Sequence, residues 1–277
     1  MSEIIILKSG EAAALNPTQS GFAHGFGIFE TIKLSQGRLC FWAAHWQRFY
    51  ASAIEFRLSL DHSEQQILGA IRELLISEGL REGTVKLSLL KQGAGAGCYV
   101  YTRPAMATIA TVRLQLSTTN PVNEHSRLAG HKTHNYMENM LLLESARAEG
   151  YADVLRVNTA GVLAETTVAN LFFIREGRLC TPALSTGILP GVIRAEVLRL
   201  AESLSVPVEE GSYYPAVLQA AEAVFLTNSS VGIRIVDTIS GEGLDLLLPS
   251  ESRPLLDALT SGFSDAEMNN SVLLLDD

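Results

Sequence analysis

At three places this 277-residue chain sets two short strand-like runs around a glycine turn, an arrangement that makes neighbouring strands antiparallel. Gly27–Leu34 and Leu39–Phe41 flank Ser35-Gln36-Gly37-Arg38, where Gly37 supplies the positive-φ position. Asp153–Asn158 and Val162–Ala164 flank Thr159-Ala160-Gly161, and Asn170–Ile174 and Arg178–Cys180 flank Arg175-Glu176-Gly177. Further strand-like runs are Ile4–Leu7, Ala107–Leu116, Ala223–Leu226 and Gly232–Val236. Thr84–Leu90 and Tyr99–Tyr101 surround a glycine-rich connection, Gly93–Gly97. Helical windows fall at Trp42–Ala53, Ser63–Glu78, Met137–Glu149, Gly191–Leu204 and Pro254–Ser261. In the second of these, Ser63-x-x-Gln66 has the form of a capping box and Gly79 that of a stop. Strands and helices alternate without a regular βαβ order, and no internal repeat is visible. The pattern predicts an α+β fold, not a doubly wound sheet.

Ser117–Gly130 is polar, contains Pro121 and has no period. It reads as a linker (117–130) between a smaller domain over 1–116 and a larger one over 131–277, a division the length allows. With 47% hydrophobic and 18% charged residues the chain has ample material for a core. A net charge of -9 argues against nucleic acid or a basic membrane patch as partner. Cys40, Cys98 and Cys180 are odd in number and lie in no metal-ligand spacing, which suits buried thiols in a reducing compartment. The start, Met1-Ser2-Glu3, has no basic n-region, and no apolar run approaches the roughly 18 residues of a membrane span. A cytoplasmic protein is expected, with a frayed tail at Asp276-Asp277.

Chemistry centres on Lys132, in His131-Lys132-Thr133-His134-Asn135-Tyr136; no lysine follows it, and only Lys8, Lys33, Lys86 and Lys91 precede it. Burial would depress its pKa and free the amine for nucleophilic work. Four other stretches have both an ordinary structural explanation and a chemical one. Gly187-Ile188-Leu189-Pro190-Gly191-Val192-Ile193-Arg194 opens a helix through a tight turn, leaving the Val192 and Ile193 N–H groups for an anion. Thr227-Asn228-Ser229-Ser230 is either a polar loop or a cup of donors around phosphate. Arg48, in Ala44-His45-Trp46-Gln47-Arg48, stands where a core helix would carry leucine and needs an anion or a carboxylate. Glu165, followed by Thr166-Thr167-Val168-Ala169-Asn170, either caps a turn or holds a protonated ring nitrogen.

In this order, Lys132-Thr133-x-Asn135-Tyr136, Gly161-x-x-x-Glu165 to Asn170-Leu171-Phe172, Thr181-Pro182, Gly187–Arg194 and Thr227-Asn228-Ser229 resemble the class IV pyridoxal-phosphate enzymes. Gly25-Phe26-Gly27-Ile28-Phe29-Glu30-Thr31 and His45-x-x-Arg48 also fit, so the resemblance runs from about residue 20 to 237. It implies a two-domain fold type IV architecture with pyridoxal 5′-phosphate between the domains, and a homodimer acting on a small amino-group substrate. Lys132 would hold the cofactor as a Schiff base and move the substrate proton; Glu165 would pair with the ring nitrogen. Arg48, Val192, Ile193 and Ser229 would bind phosphate, and Tyr136 the phenolate oxygen. Many relatives have threonine where Ile193 stands, which removes one hydroxyl contact.

His24, Phe26, Phe29 and Ser230 would line the substrate pocket. The Gly25–Thr31 string looks most like the 4-amino-4-deoxychorismate lyases, which release pyruvate and 4-aminobenzoate for folate synthesis. The alternative is an aminotransferase for branched-chain or other apolar amino acids with a 2-oxo acid acceptor. Gln92 stands before Gly93 where lyases and D-amino acid aminotransferases usually carry arginine, and Lys91 should face the other way if this is a strand.

Overall fold

The computed structural model describes residues 4–8, 16–105, 110–248 and 253–275. The expected fraying at Asp276-Asp277 and the start of the strand expected from Ala107 lie outside them. The chain forms two compact units, one of residues 1–107, 131–135 and 267–277, the other of 108–130 and 136–266.

The first unit contains β1 (Ile4–Leu7), a short helix α1 (Ser20–Ala23), β2 (Gly27–Ser35), β3 (Arg38–Cys40), α2 (Trp42–Glu55), α3 (Glu64–Glu78), β4 (Gly83–Gln92) and β5 (Gly95–Arg103). With a C-terminal strand, Ser271–Leu273, these strands make one sheet in the order β1-β5-β4-β2-β3-terminal strand. The hairpin at Gly37 is present, with Gln36 and Gly37 both at positive φ. α3 begins with the expected reciprocal Ser63–Gln66 capping box and stops at Gly79 in the left-handed conformation. On one face of β2, Ile28, Ile32 and Leu34 enter a core with Trp42, Phe49, Ile67, Ile71 and Leu74 from the two long helices. The glycine connection is shorter than expected. Gln92 pairs with Gly95, so only Gly93-Ala94 forms the turn and Gly95–Gly97 belong to β5.

The second unit contains β6 (Thr111–Val122), α4 (Met137–Ala148), β7 (Asp153–Asn158), β8 (Leu163–Thr166), β9 (Asn170–Arg175), β10 (Arg178–Pro182), α5 (Val192–Ser203), β11 (Val208–Gly211), β12 (Ala223–Asn228), β13 (Gly232–Gly241) and β14 (Leu244–Leu247). The last helix, α6 (Pro254–Asn269), begins in it. The sheet runs β11-β10-β9-β12-β13-β6-β7-β8, and β8 pairs again with β9, closing a ring. Leu114, Leu155, Leu171, Phe173, Val224 and Val236 fill its core.

Two boundary expectations are corrected. The first part of the supposed linker, Ser117–Val122, is the continuation of β6, paired there in parallel with β7, while β13 pairs with β6 only up to Gln115. Its register shifts between Ser117 and Val122, so Pro121 sits in an irregularity where no ladder hydrogen bond is required of it. Nor does the second unit begin at residue 131. Phe29 N donates to Lys132 O, His134 N donates to Gly27 O, and Ile28 bridges Thr133, so Lys132 is tied to β2 of the first unit.

Candidate active site

The first unit presents its lysine by strand alternation. Because Thr133 pairs with Ile28, Lys132 and His134 fall on the face of β2 that carries Phe29 and Thr31. The register of β4 and β5 adds Lys86 opposite Thr31, Ser88 opposite Phe29, and Tyr99 beyond Ser88. Lys132 Nζ lies 4.6 Å from the centroid of the Phe29 ring, and Lys86 Nζ lies 4.2 Å from the same centroid. The ring's electron-rich face offsets part of the repulsion between the two amines. Lys86 Nζ donates to Thr31 Oγ1 at 2.6 Å, and burial, with repulsion from Lys132 and Arg103, pushes its pKa down to about 7. His134, its ring 5.1 Å from Phe29, is held neutral at a pKa of about 4 by burial and by Lys86. His134 Nε2 and Ser88 Oγ are buried without a hydrogen-bond partner, which is costly unless something else satisfies them.

Behind that face Glu30, 1% exposed, points toward α2. Arg48 Nε and Nη2 donate to its two oxygens, each at 2.7 Å, and His45 Nδ1 lies 2.7 Å from Oε2. The reading of Arg48 as a phosphate ligand is therefore modified: its Nε–Nη2 edge closes on Glu30, and an anion would have to meet the other edge. His24 ends α1 exposed, and Phe26 is 41% exposed in the turn before β2. Of the expected substrate residues in this unit, Phe29 is the one beside the lysine. Gln92 does stand on the Phe29 face by register; its amide donates to the Tyr99 hydroxyl and lies over Gly97, where a Cβ would come within 2.7 Å of it.

In the second unit Glu165 is fixed from two sides. Its Oε2 accepts from Asn170 Nδ2 at 2.9 Å and from Leu189 N at 3.1 Å. Asn170 Nδ2 also donates to Leu189 O, so one amide clamps the carboxylate to the turn that opens α5. The clamp explains Gly191: a Cβ there would stand 2.0 Å from Asn170 Oδ1. No side chain caps α5, which leaves the N–H groups of its first turn, at Val192 and Ile193, available at the positive end of the helix. Thr227, opposite Asn170 on β12, has its Oγ1 buried without a hydrogen-bond partner. Ser229 and Ser230 lie in the turn after it, where Asn228 Oδ1 accepts from Ser230 N and Val231 N. Tyr136 donates its hydroxyl proton to Thr167 O at 3.0 Å; it would have to turn away to donate to a phenolate. Arg194, in the same motif, bonds instead to Pro182 O and Glu210.

An oriented carboxylate, an uncapped helix start and an unsatisfied buried hydroxyl suit a phosphorylated, protonated heterocycle. Gly191→Ala should cost about 1–3 kcal/mol by overpacking against Asn170. It should also weaken cofactor retention; thermal unfolding with and without pyridoxal 5′-phosphate measures both effects.

The amino-transferase class IV family model matches residues 27–239. The chain belongs to the class IV aminotransferase family. Class IV enzymes use pyridoxal 5′-phosphate, and this class IV chain is a pyridoxal-phosphate enzyme. It is 25% identical over 235 residues to the aminodeoxychorismate lyase of Bacillus subtilis, covering 80% of each chain. It is 23% identical over 252 residues to the branched-chain-amino-acid aminotransferase of Escherichia coli K12, covering 83% of this chain and 82% of that one. Among solved structures, a Legionella pneumophila protein provisionally named 4-amino-4-deoxychorismate lyase superposes with a TM-score of 0.86 at 27% identity, covering 95% of this chain and 99% of that one. A Mycobacterium tuberculosis protein, a hypothetical aminotransferase in its PLP-bound form, shares the fold with a TM-score of 0.83 at 22% identity, covering 95% and 96%.

Lys86 and Glu30 were not singled out from sequence as site residues. A signal for Lys86 was present, a lysine inside the apolar run Thr84–Leu90. Nothing local marks Glu30 as the partner of Arg48.

Proposed function

We propose that this class IV enzyme is a 4-amino-4-deoxychorismate lyase, releasing pyruvate and leaving 4-aminobenzoate. The observation that carries this reading is Lys86, a buried amine sharing the Phe29 ring with the half-buried Lys132. The proposed substrate bears two carboxylates, whereas a branched-chain amino acid bears one and an apolar side chain. An additional cation within a largely desolvated face favours the more anionic substrate. The names of the Bacillus subtilis and Legionella pneumophila relatives support the same choice.

When bound, pyridoxal 5′-phosphate would supply an electron sink for the substrate's reacting carbon. Lys132 would hold it through Nζ, and the same amine, when free of the cofactor, would take the proton from the substrate ring carbon that bears the nitrogen. The bond from the neighbouring ring carbon to the enolpyruvyl oxygen then breaks, and the enol leaving group gains a proton to become pyruvate as the ring becomes aromatic. Glu165, clamped by Asn170 and Leu189 N, keeps a negative charge ready for a protonated ring nitrogen. Lys86 attracts a substrate carboxylate, whose charge in turn stabilises the protonated amine.

Purified enzyme given 4-amino-4-deoxychorismate should release pyruvate with no 2-oxo acid acceptor. No pyruvate release, together with turnover of leucine plus 2-oxoglutarate, overturns the lyase reading. The same assay tests Lys86. Lys86→Met should lower kcat/KM about a hundredfold, the scale of a lost charge-assisted hydrogen bond. In the wild type kcat/KM should fall as pH rises through about 7, because the free enzyme's Lys86 then loses its proton. Lys86→Arg, protonated throughout, should flatten that limb.

A further inference from the structure

Arg156 lies in the middle of β7, 4% exposed, in a strand whose other residues are also buried. A guanidinium there is expensive unless its donors are satisfied. Its Nε donates to Asn120 O at 2.8 Å, and Nη2 to Pro121 O at 3.3 Å and to Glu138 Oε2 at 2.8 Å. Nη1 donates to Asn139 Oδ1 at 3.2 Å. The Glu138 side chain is 64% exposed, so that pair is largely screened and does not account for the buried charge.

The contact with Asn139 has a consequence two bonds away. A guanidinium offers donors alone, so Asn139 must turn its oxygen toward Arg156 and its NH2 group the other way. That NH2 donates to Thr167 O at 2.7 Å, the same carbonyl that accepts the Tyr136 hydroxyl. From the other side Asp153 Oδ1 accepts from Thr167 N and from Thr167 Oγ1, which anchors the residue that carries this carbonyl. The Thr167 carbonyl is thereby fixed in place with both lone pairs used, and the Tyr136 proton is directed at it.

We propose that Arg156 is a positioning residue which, through Asn139 and Thr167 O, sets the direction of the Tyr136 hydroxyl. It rests on the assignment of Tyr136 to the ring oxygen of pyridoxal 5′-phosphate. With its proton held by Thr167, Tyr136 presents an oxygen lone pair, so it favours a ring oxygen that brings its own proton and disfavours the phenolate. Asn139 is free to rotate once Arg156 is gone, and the hydroxyl direction is then no longer specified.

The test uses enzyme loaded with pyridoxal 5′-phosphate, read by the visible absorption maximum of the bound cofactor, its dissociation half-time, and kcat against KM. Arg156→Leu should shift the absorption maximum and lower kcat about five- to tenfold, the scale of one hydrogen bond, with KM little changed. Tyr136→Phe should shift the maximum too, and Arg156→Leu added to it should change nothing more, since both act through one hydroxyl. Arg156→Lys should restore part of the effect, and Glu138→Gln should behave as wild type. Additive shifts in the double variant, or an unshifted maximum in Arg156→Leu, overturn the proposal. Should Arg156→Leu not fold, Asn139→Leu cuts the same relay and leaves Arg156 its carbonyl partners; the same outcomes apply to it. A wild type with no visible band dependent on Lys132 would defeat the cofactor assignment itself, which is a distinguishable failure.

Discussion

Lys132→Ala should abolish covalent retention of pyridoxal 5′-phosphate and lower turnover at least a thousandfold, within the range expected for a positioned proton-transfer group. The informative control is Lys86. Its Nζ lies 4.2 Å from the Phe29 centroid against 4.6 Å for Lys132, and burial brings its pKa to about 7, so a fraction is an unprotonated nucleophile near neutrality. Reduction of the loaded enzyme with borohydride followed by peptide mass spectrometry should place the label on Lys132 alone. Label on Lys86 in the wild type would reverse the two assignments. Label on Lys86 only in Lys132→Ala would mean that the Phe29 face activates either amine and that only position selects between them.

Glu30→Ala should be the most destabilising single change near the site, by about 3–5 kcal/mol, because it leaves the Arg48 guanidinium facing a buried hole where a carboxylate was. Denaturant midpoints at fixed slope measure it, and a loss below about 1 kcal/mol would mean that Arg48 finds another anion. The pH dependence follows from the same cluster. Although burial alone would raise it, Arg48 and His45 hold the Glu30 carboxyl well below the usual carboxylate range. The stability it contributes is therefore present above about pH 4.3 and lost only as pH falls through its depressed folded value. His45 acts sooner. Burial outweighs its pairing with Glu30, since Arg48 already balances that charge and Nε2 has no hydrogen-bond partner. With its folded pKa below 6.5, the unfolded chain takes up a proton that the folded one does not, and stability falls as pH drops below about 6.5. His45→Gln should flatten that part of the profile.

Much of the second unit was legible because its signals are local. A turn needs its glycine within a few residues of its strands, and the hairpins at Gly161 and Gly177 follow the expected ranges closely. The helix expected after Gly191 begins at Val192, since the uncapped turn depends on residues that are neighbours in sequence. β6 was misjudged past Ser117 for the opposite reason. Its polar residues and Pro121 are tolerated by a register shift against β7, a partner about 40 residues away that no local pattern announces. The glycines at 95 and 97 looked like a loop, yet they pair along β4 and leave room for the Gln92 amide.

By themselves the ordered motifs from Gly25 to Ser229 determined the family and the cofactor, and they set the roles expected of Lys132 and Glu165, because such motifs attach to residue types at fixed spacings. Only the tertiary structure decided what surrounds each group. Strand register places Lys86 against the Phe29 ring used by Lys132, helix packing closes Arg48 on Glu30, and a buried relay from Arg156 reaches Tyr136. These are pairings between residues far apart in the chain. Their energies depend on burial and direction, which exist only once the sheets have closed.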